Sequence, residues 1–295
     1  MAAKVLDLPF HTYGAKPAII ADDGVVTTYD ELALGIRRCR SRLQDQGVTP
    51  GSAVLLSGDY SATACIWLFA LWQEGCIVIP AVPGPMSDSY ADVADVSWQV
   101  DAGQDRLSVG AGQSAHPYYA DLAKRGSAGL VIFSSGTTGE PKGALHDVTR
   151  LMSKFAVRGK ALRTLGFLLF DHISGIDTVL YTLMSGGTLV CTASRNTGVV
   201  CRTLEAHRVE VLPTAPSFLN MLIMSGDAEK HDLSSLKIIT YGGEMMAQAV
   251  LDRVALAFPN AKLVQKYGAS EFGALRSRSE DNTSRWISFD TVSYT

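Results

Sequence analysis

Apolar and polar positions alternate along this chain in blocks. Residues 27–47, "TTYDELALGIRRCRSRLQDQG", open with Thr28 and Glu31 at capping-box spacing, carry apolar residues at helical spacing and close on a glycine, which predicts a helix. "SAVLLSG" (52–58) predicts a short strand, "YSATACIWLFALWQEG" (60–75) a helix, and "CIVIPAV" (76–82) a strand halted by Pro83. From Pro83 to about Gly126 the pattern is polar and irregular, with weak helical periodicity.

Alternation then resumes. Strands are predicted at 129–134, 164–170, 186–192, 209–214, 236–242 and 261–268, and helices at 146–162, 175–186, 197–208, 215–226 and 245–259. Apolar strands separated by helices, without two-residue turns, imply an α/β fold of mostly parallel sheets covered on both faces. Repeats and low-complexity segments are absent.

Composition narrows the function classes. The 295 residues are 47% hydrophobic and 19% charged with a net charge of −3, a soluble globular balance that argues against a broad nucleic-acid footprint. The apolar stretch around "ATACIWLFALW" is too short to span a bilayer, and Asp7 and Pro9 interrupt what a signal peptide would need as its apolar core. The five cysteines form no CxxC pair and the six histidines no HExxH pattern, so reduced, buried thiols and a cytoplasmic location are expected.

One stretch cannot build a core. "IFSSGTTGEPKGALHD" (132–147) packs Ser134, Ser135, Gly136, Thr137, Thr138, Gly139, Pro141, Lys142 and Gly143 into ten positions. It follows an apolar strand, and ligands gather at the carboxyl ends of strands in such sheets. Glycines let backbone N–H groups approach an oxyanion, hydroxyls donate without bulk, and Lys142 supplies charge, so the stretch suits phosphate. It is not a Walker A loop, because Pro141 precedes and Gly143 follows the lysine.

The order S-S-G-T-T-G-x-P-K-G resembles the phosphate-binding signature of adenylate-forming enzymes: acyl- and aryl-CoA synthetases, luciferases and peptide-synthetase adenylation domains. Downstream stretches extend the resemblance. "LLFDHISGIDTVL" supplies Asp171 and His172, "IITYGGEMM" supplies Tyr241, Gly242, Gly243 and Glu244, and "LVQKYGASEFG" supplies Tyr267, Gly268, Ala269, Ser270 and Glu271, with serine in place of the commoner threonine. "VLPTAPSFLNML" (211–222) resembles the family's pocket-lining helix.

The resemblance implies two doubly wound, mostly parallel sheets flanked by helices, without the family's small C-terminal lid domain. It divides the 1–295 domain approximately into 50–162, carrying the phosphate loop, and 16–49 plus 163–295, carrying the adenine and acid pocket. It implies ATP-dependent activation of a carboxylic acid as acyl-AMP with release of pyrophosphate, for transfer to CoA, a carrier protein or another nucleophile. ATP and Mg²⁺ are the cofactors implied, a small carboxylic acid the substrate, and CoA or an acyl carrier protein the further partner.

By the same resemblance Ser135, Thr137 and Thr138, with the Ser134, Gly136 and Gly139 backbone, grip the β- and γ-phosphates, and Lys142 neutralises leaving charge. Glu271 helps coordinate Mg²⁺, Ser270 touches the α-phosphate, Tyr267 lies against adenine, and Gly243 and Glu244 border the nucleotide. Thr137, Lys142, His172 and Glu271 form the catalytic set. Asp171, His172, Tyr241, Gly242, Gly243, Gly268 and Ala269 outline the acid pocket, where Asp171 leaves an amino-bearing acid open. The family's ribose-binding aspartate, hinge and lid lysine are expected beyond Glu271, and the chain as given ends at "RWISFDTVSYT". A truncated ligase, or a naturally short nucleotide-binding partner or regulatory module without complete turnover, both accommodate that end.

Overall fold

The computed structural model describes residues 6–84, 86–135, 141–192, 194–275 and 277–289. Among these residues two large sheets carry the fold. The first comprises β3 (Ala53–Ser57), β4 (Ile77–Ala81), β5 (Trp98–Asp101), β6 (Arg106–Val109), β7 (Gly129–Ser135) and β8 (Pro141–Asp147), in spatial order β6-β5-β3-β4-β7-β8. The second comprises β1 (Pro17–Ile20), β2 (Val26–Thr28), β9 (Arg163–Leu165), β10 (Thr188–Val190), β11 (Val211–Thr214), β12 (Ile238–Tyr241) and β13 (Lys262–Gln265), in order β13-β12-β11-β9-β10-β1-β2. Both are mostly parallel, with antiparallel pairs at β5–β6, β7–β8 and β1–β2.

Side-chain alternation sorts these strands between three cores. In β3, Val54 and Leu56 join a central core while Ala53 and Leu55 join an outer one; in β7, Leu130 and Ile132 point to the centre while Val131 and Phe133 point out. In the second sheet Leu189 faces the centre and Val190 the opposite outer core. The central core is filled by α1 (Tyr29–Asp45), α2 (Ala62–Gln73), α5 (Val148–Ser153) and α6 (Ile173–Met184). The helix α2 is apolar all round because it lies between two sheets, and Trp67, Leu68, Phe69, Ala70 and Leu71 are fully buried. Helices α7 (Thr197–Ala206), α8 (Pro216–Ser225) and α9 (Gln248–Ala257) cover the outer face of the second sheet, and α3 (Ser87–Val93) and α4 (Pro117–Lys124) that of the first. All five cysteines are free and buried.

The capping box is present as predicted: Thr28 Oγ1 accepts from Glu31 N–H at 3.2 Å, and Glu31 Oε2 accepts from Thr28 N–H at 2.7 Å. Most of the predicted strands and helices are also present. Other expectations need correction. Residues 141–147 form β8, an antiparallel partner of β7, so the stretch beginning at Ile132 is a hairpin rather than one long loop. The helix predicted over 146–162 ends at Ser153, since the following residues offer no continuous apolar face and Val157 is exposed. The strand predicted over 164–170 is confined to Arg163–Leu165; from Gly166 the chain turns against the Tyr60 ring, where a Cβ would lie 2.7 Å from Cγ. The region read as irregular, 83–126, contains α3, β5, β6 and α4.

Candidate functional site

The carboxyl ends of β11, β12 and β13 face the start of α6, and there the sequence-predicted residues gather. A cavity of about 420 Å³ is lined by His172 and by Tyr241, Gly242, Gly243, Tyr267, Gly268, Ala269 and Ser270. Two glycines shape its rim. Gly243 turns at φ +85°, a left-handed conformation suited to glycine, and at Gly242 a Cβ would lie 2.5 Å from the Lys266 carbonyl oxygen. The absent side chains let the turn after β12 lie directly against the segment entering Tyr267, where Lys266 N–H donates to Tyr241 O at 2.7 Å.

The ribbon of β14 (Gly268–Ala269) and β15 (Gly273–Ala274) holds residues 270–272 at its tip. A second ribbon, β16 (Ser277–Ser279) with β17 (Ile287–Phe289), follows. The Tyr267 ring stands 6.1 Å from Phe272 and 5.8 Å from Phe289 and remains half exposed, leaving area for a stacking partner. Glu271 is exposed beside Ser270.

The β7–β8 hairpin of the first sheet reaches the segment after Tyr267. Ser134 pairs with Lys142 across β7 and β8, and Lys142 is exposed. Further along β8, His146 Nε2–H donates to the Ser270 carbonyl at 2.6 Å, across 124 positions of sequence. The hairpin arm and the Tyr267–Glu271 segment are therefore neighbours. The Ser135 backbone ends β7, while Gly136, Thr137, Thr138 and Gly139 lie outside the described residues.

Ser134, Ser135, Lys142, Asp171, Glu244 and Glu271 are not among the residues lining the cavity, and two of them are tied elsewhere. Asp171 Oδ2 accepts from Val82 N–H at 3.3 Å, and its Oδ1 lies 4.0 Å from His172 Nε2. Glu244 Oε1 accepts from Ser217 N–H at 2.9 Å and so caps α8, whose own N-cap, Ala215, has no side-chain acceptor. Hydrogen bonds from the Ser217 side chain and backbone hold the Glu244 carboxyl below the ordinary range. Burial raises the Tyr241 phenol, so it stays neutral.

Of the stretch 211–222, read as a pocket-lining helix, Val211, Pro213 and Thr214 of β11 line the cavity and α8 does not, and sequence reasoning missed Thr164, Asp177, Thr178, Thr182 and Lys266. Asp177 pairs with Lys154 from just beyond α5. Lys266 carried one usable signal, its place immediately before Tyr267. Among the described residues no group of three or more His, Cys, Asp or Glu side chains could hold a metal by itself. Among the same residues no helix is long and apolar enough to cross a membrane.

Comparison with known proteins decides the family. The model of the AMP-binding enzyme family matches residues 9–98 and 91–291. The chain belongs to the AMP-binding enzyme family. It is 28% identical over 302 residues to 4-coumarate–CoA ligase-like 5 of Oryza sativa subsp. japonica, covering 88% of this chain and 56% of that protein. Among solved structures, the amide bond synthetase McbA of Marinactinospora thermotolerans superposes with a TM-score of 0.74 at 23% identity, covering 90% of this chain and 60% of that one. The N-terminal subdomain of Klebsiella oxytoca NpsA, in complex with 3-hydroxybenzoyl-AMSN, superposes with a TM-score of 0.73 at 17% identity, covering 88% and 70%. The chain thus spans about half the length of the curated relatives it matches.

Proposed function

We propose that this chain binds ATP and a carboxylic acid and activates the acid as acyl-AMP. A carboxylate oxygen attacks the α-phosphorus, the bond between the α-phosphorus and the bridging oxygen breaks, and pyrophosphate leaves. The observation that carries this reading is the His146–Ser270 hydrogen bond, which ties the Lys142-bearing arm to a segment lining the same cavity as His172 and the Gly242–Gly243 turn. One cleft then has phosphate-binding chemistry at one end and an apolar acid pocket at the other, the proximity that in-line attack requires.

In this reading Ser134, Ser135, Gly136, Thr137, Thr138 and Gly139 cradle the β- and γ-phosphates, and Lys142 faces the charge that develops on pyrophosphate. Glu271 holds Mg²⁺, which when bound neutralises phosphate charge. Tyr267 stacks on adenine, Gly243 and Gly268 border it, Ser270 reaches the α-phosphate, and His172 shields the acid carboxylate. Tyr241, Gly242 and Ala269 wall the acid pocket. Asp171 and Glu244 support the site from outside, Asp171 by fixing the turn before His172 and Glu244 by fixing α8. CoA or a carrier-protein thiol is the proposed acceptor, and the cytoplasm the proposed location.

Calorimetry with Mg-ATP, followed by pyrophosphate exchange against fatty, aryl and amino acids, tests this. The expected outcome is one saturable Mg-ATP site and exchange that depends on one class of acid. A chain that binds no nucleotide would refute the reading.

A further inference from the structure

His146 stands on β8, opposite Leu130 of β7. Leu130 points into the central core, and residues paired across strands share a face, so the imidazole points the same way, toward the second sheet. Its neighbour Leu145 pairs with Val131 and packs on the outer core instead. The strand alternation therefore aims His146 at the segment after Tyr267, where its Nε2 lies 2.6 Å from the Ser270 carbonyl oxygen. A carbonyl only accepts, so Nε2 carries the hydrogen.

The bond acts where the site has little other support. The β14–β15 ribbon is two residue pairs long, Gly268 with Ala274 and Ala269 with Gly273, and so short a hairpin does not hold its own shape. Within its tip Phe272 N–H donates to Ala269 O at 3.3 Å, and among the described residues no backbone N–H reaches the Ser270 carbonyl. His146 engages it.

A peptide unit is planar, so holding the Ser270 C=O also holds the Glu271 N–H and constrains how both side chains leave the backbone. That one plane joins the hydroxyl assigned above to the α-phosphate and the carboxylate assigned to Mg²⁺. Glu271 is exposed, and among the described residues no ion pair or hydrogen bond engages its carboxylate, which leaves it open to a cation and dependent on its backbone for aim. Lys142 lies four residues before His146 on the same face of β8, about 13 Å along the strand. One strand thus sets both the charge on the phosphate arm and the orientation of the Ser270–Glu271 peptide.

We propose that His146 is a positioning residue: through Nε2–H it orients the Ser270–Glu271 peptide, and with it the groups that meet the α-phosphate and its metal, without itself touching nucleotide or acid. This role rests on the acid-activating reading above and adds to it a residue from the opposite sheet.

Three variants separate the donor from the bulk of the ring. His146→Leu removes the donor, His146→Asn keeps an N–H at the shorter reach of Nδ1, and His146→Gln places one at the reach of Nε2. Each full-length variant is titrated calorimetrically with Mg-ATP and with adenosine, which carries no phosphate. Mg-ATP affinity is expected to fall about 10-fold or more in the leucine and asparagine variants, the usual effect of losing an outer partner that orients a metal ligand, and to stay within about 3-fold of wild type in the glutamine variant. Adenosine affinity should stay within about 2-fold throughout, since its contacts to Tyr267 and the Gly242–Gly243 turn are independent of the bond. If the leucine variant does not fold, the asparagine and glutamine variants still decide. Wild-type Mg-ATP affinity in the asparagine variant, an equal loss in the glutamine variant, or a parallel loss of adenosine affinity would overturn the role of His146 and leave acid activation standing. Wild-type protein that binds no Mg-ATP would overturn both.

Discussion

Replacing Lys142 or Glu271 by alanine is expected to lower kcat/KM for Mg-ATP by about 10²–10³-fold, the usual effect of removing one preorganised group that stabilises developing charge. The melting temperature should hardly move. Both side chains are exposed, Lys142 on the outer strand of its sheet and Glu271 at the tip of a short ribbon, so neither supports the core. Exposed substitutions of this kind cost within about 0.5 kcal/mol of stability. Lys142→Arg should restore part of the loss, because the charge returns with altered reach. Steady-state kinetics beside thermal denaturation separates the two quantities. Wild-type kinetics in both alanine variants would remove Lys142 and Glu271 from the proposed roles.

Gly175→Ala is expected to destabilise the fold by about 2–3 kcal/mol, as overpacking of a close-packed site does. A Cβ at this position would lie 2.0 Å from the Leu169 carbonyl oxygen, 2.8 Å from its carbon and 3.1 Å from the Phe170 Cα. All three are backbone atoms in the turn that positions His172, so no side chain can simply swing away. That turn is also fixed from the other side, where His172 N–H donates to Leu169 O at 3.1 Å and the buried Tyr60 hydroxyl donates to Gly175 O at 3.3 Å. Gly198→Ala provides the control: it sits in the first turn of α7 with no contact closer than 3.5 Å, and alanine suits a helix better than glycine. Calorimetric melting should show a drop of about 5–10 °C for Gly175→Ala and none for Gly198→Ala.

Much of the architecture was legible because the pattern itself encodes burial. The uniformly apolar α2 could only lie between two layers, and Thr28 with Glu31 marked the start of α1 through local bonds. The strand β8 was not legible, because Pro141, Lys142 and Gly143 are poor strand formers and only the pairing with buried β7 makes them one. The hairpin β5–β6 was hidden for a related reason: its outer strand is nearly all exposed, with Val109 in solvent, so no alternation marks it.

In the site, the glycine turn and the tyrosine segment were readable as motifs, since each depends on residues close in sequence. Glu244 and Asp171 were read as ligand-facing from their neighbours, whereas their hydrogen bonds go to Ser217 and Val82. The unpaired hydroxyls of Thr182 and Thr214 appear only once α6 and β11 are packed, and the bond between His146 and Ser270 only once β8 meets the β14–β15 ribbon. No local spacing announces them.

The central claim is that a hairpin from one sheet and a tyrosine segment following the other hold one ATP between them. Co-crystallisation with a non-hydrolysable acyl-sulfamoyl adenosine tests it most directly. The expected density has adenine between Tyr267 and the Gly242–Gly243 turn, the sulfamoyl group beside Ser270 on the side of the Lys142 arm, and the acyl chain between α6 and β11. Density confined to the far part of the neighbouring groove, against Tyr118, Arg125 and Arg150, would contradict it.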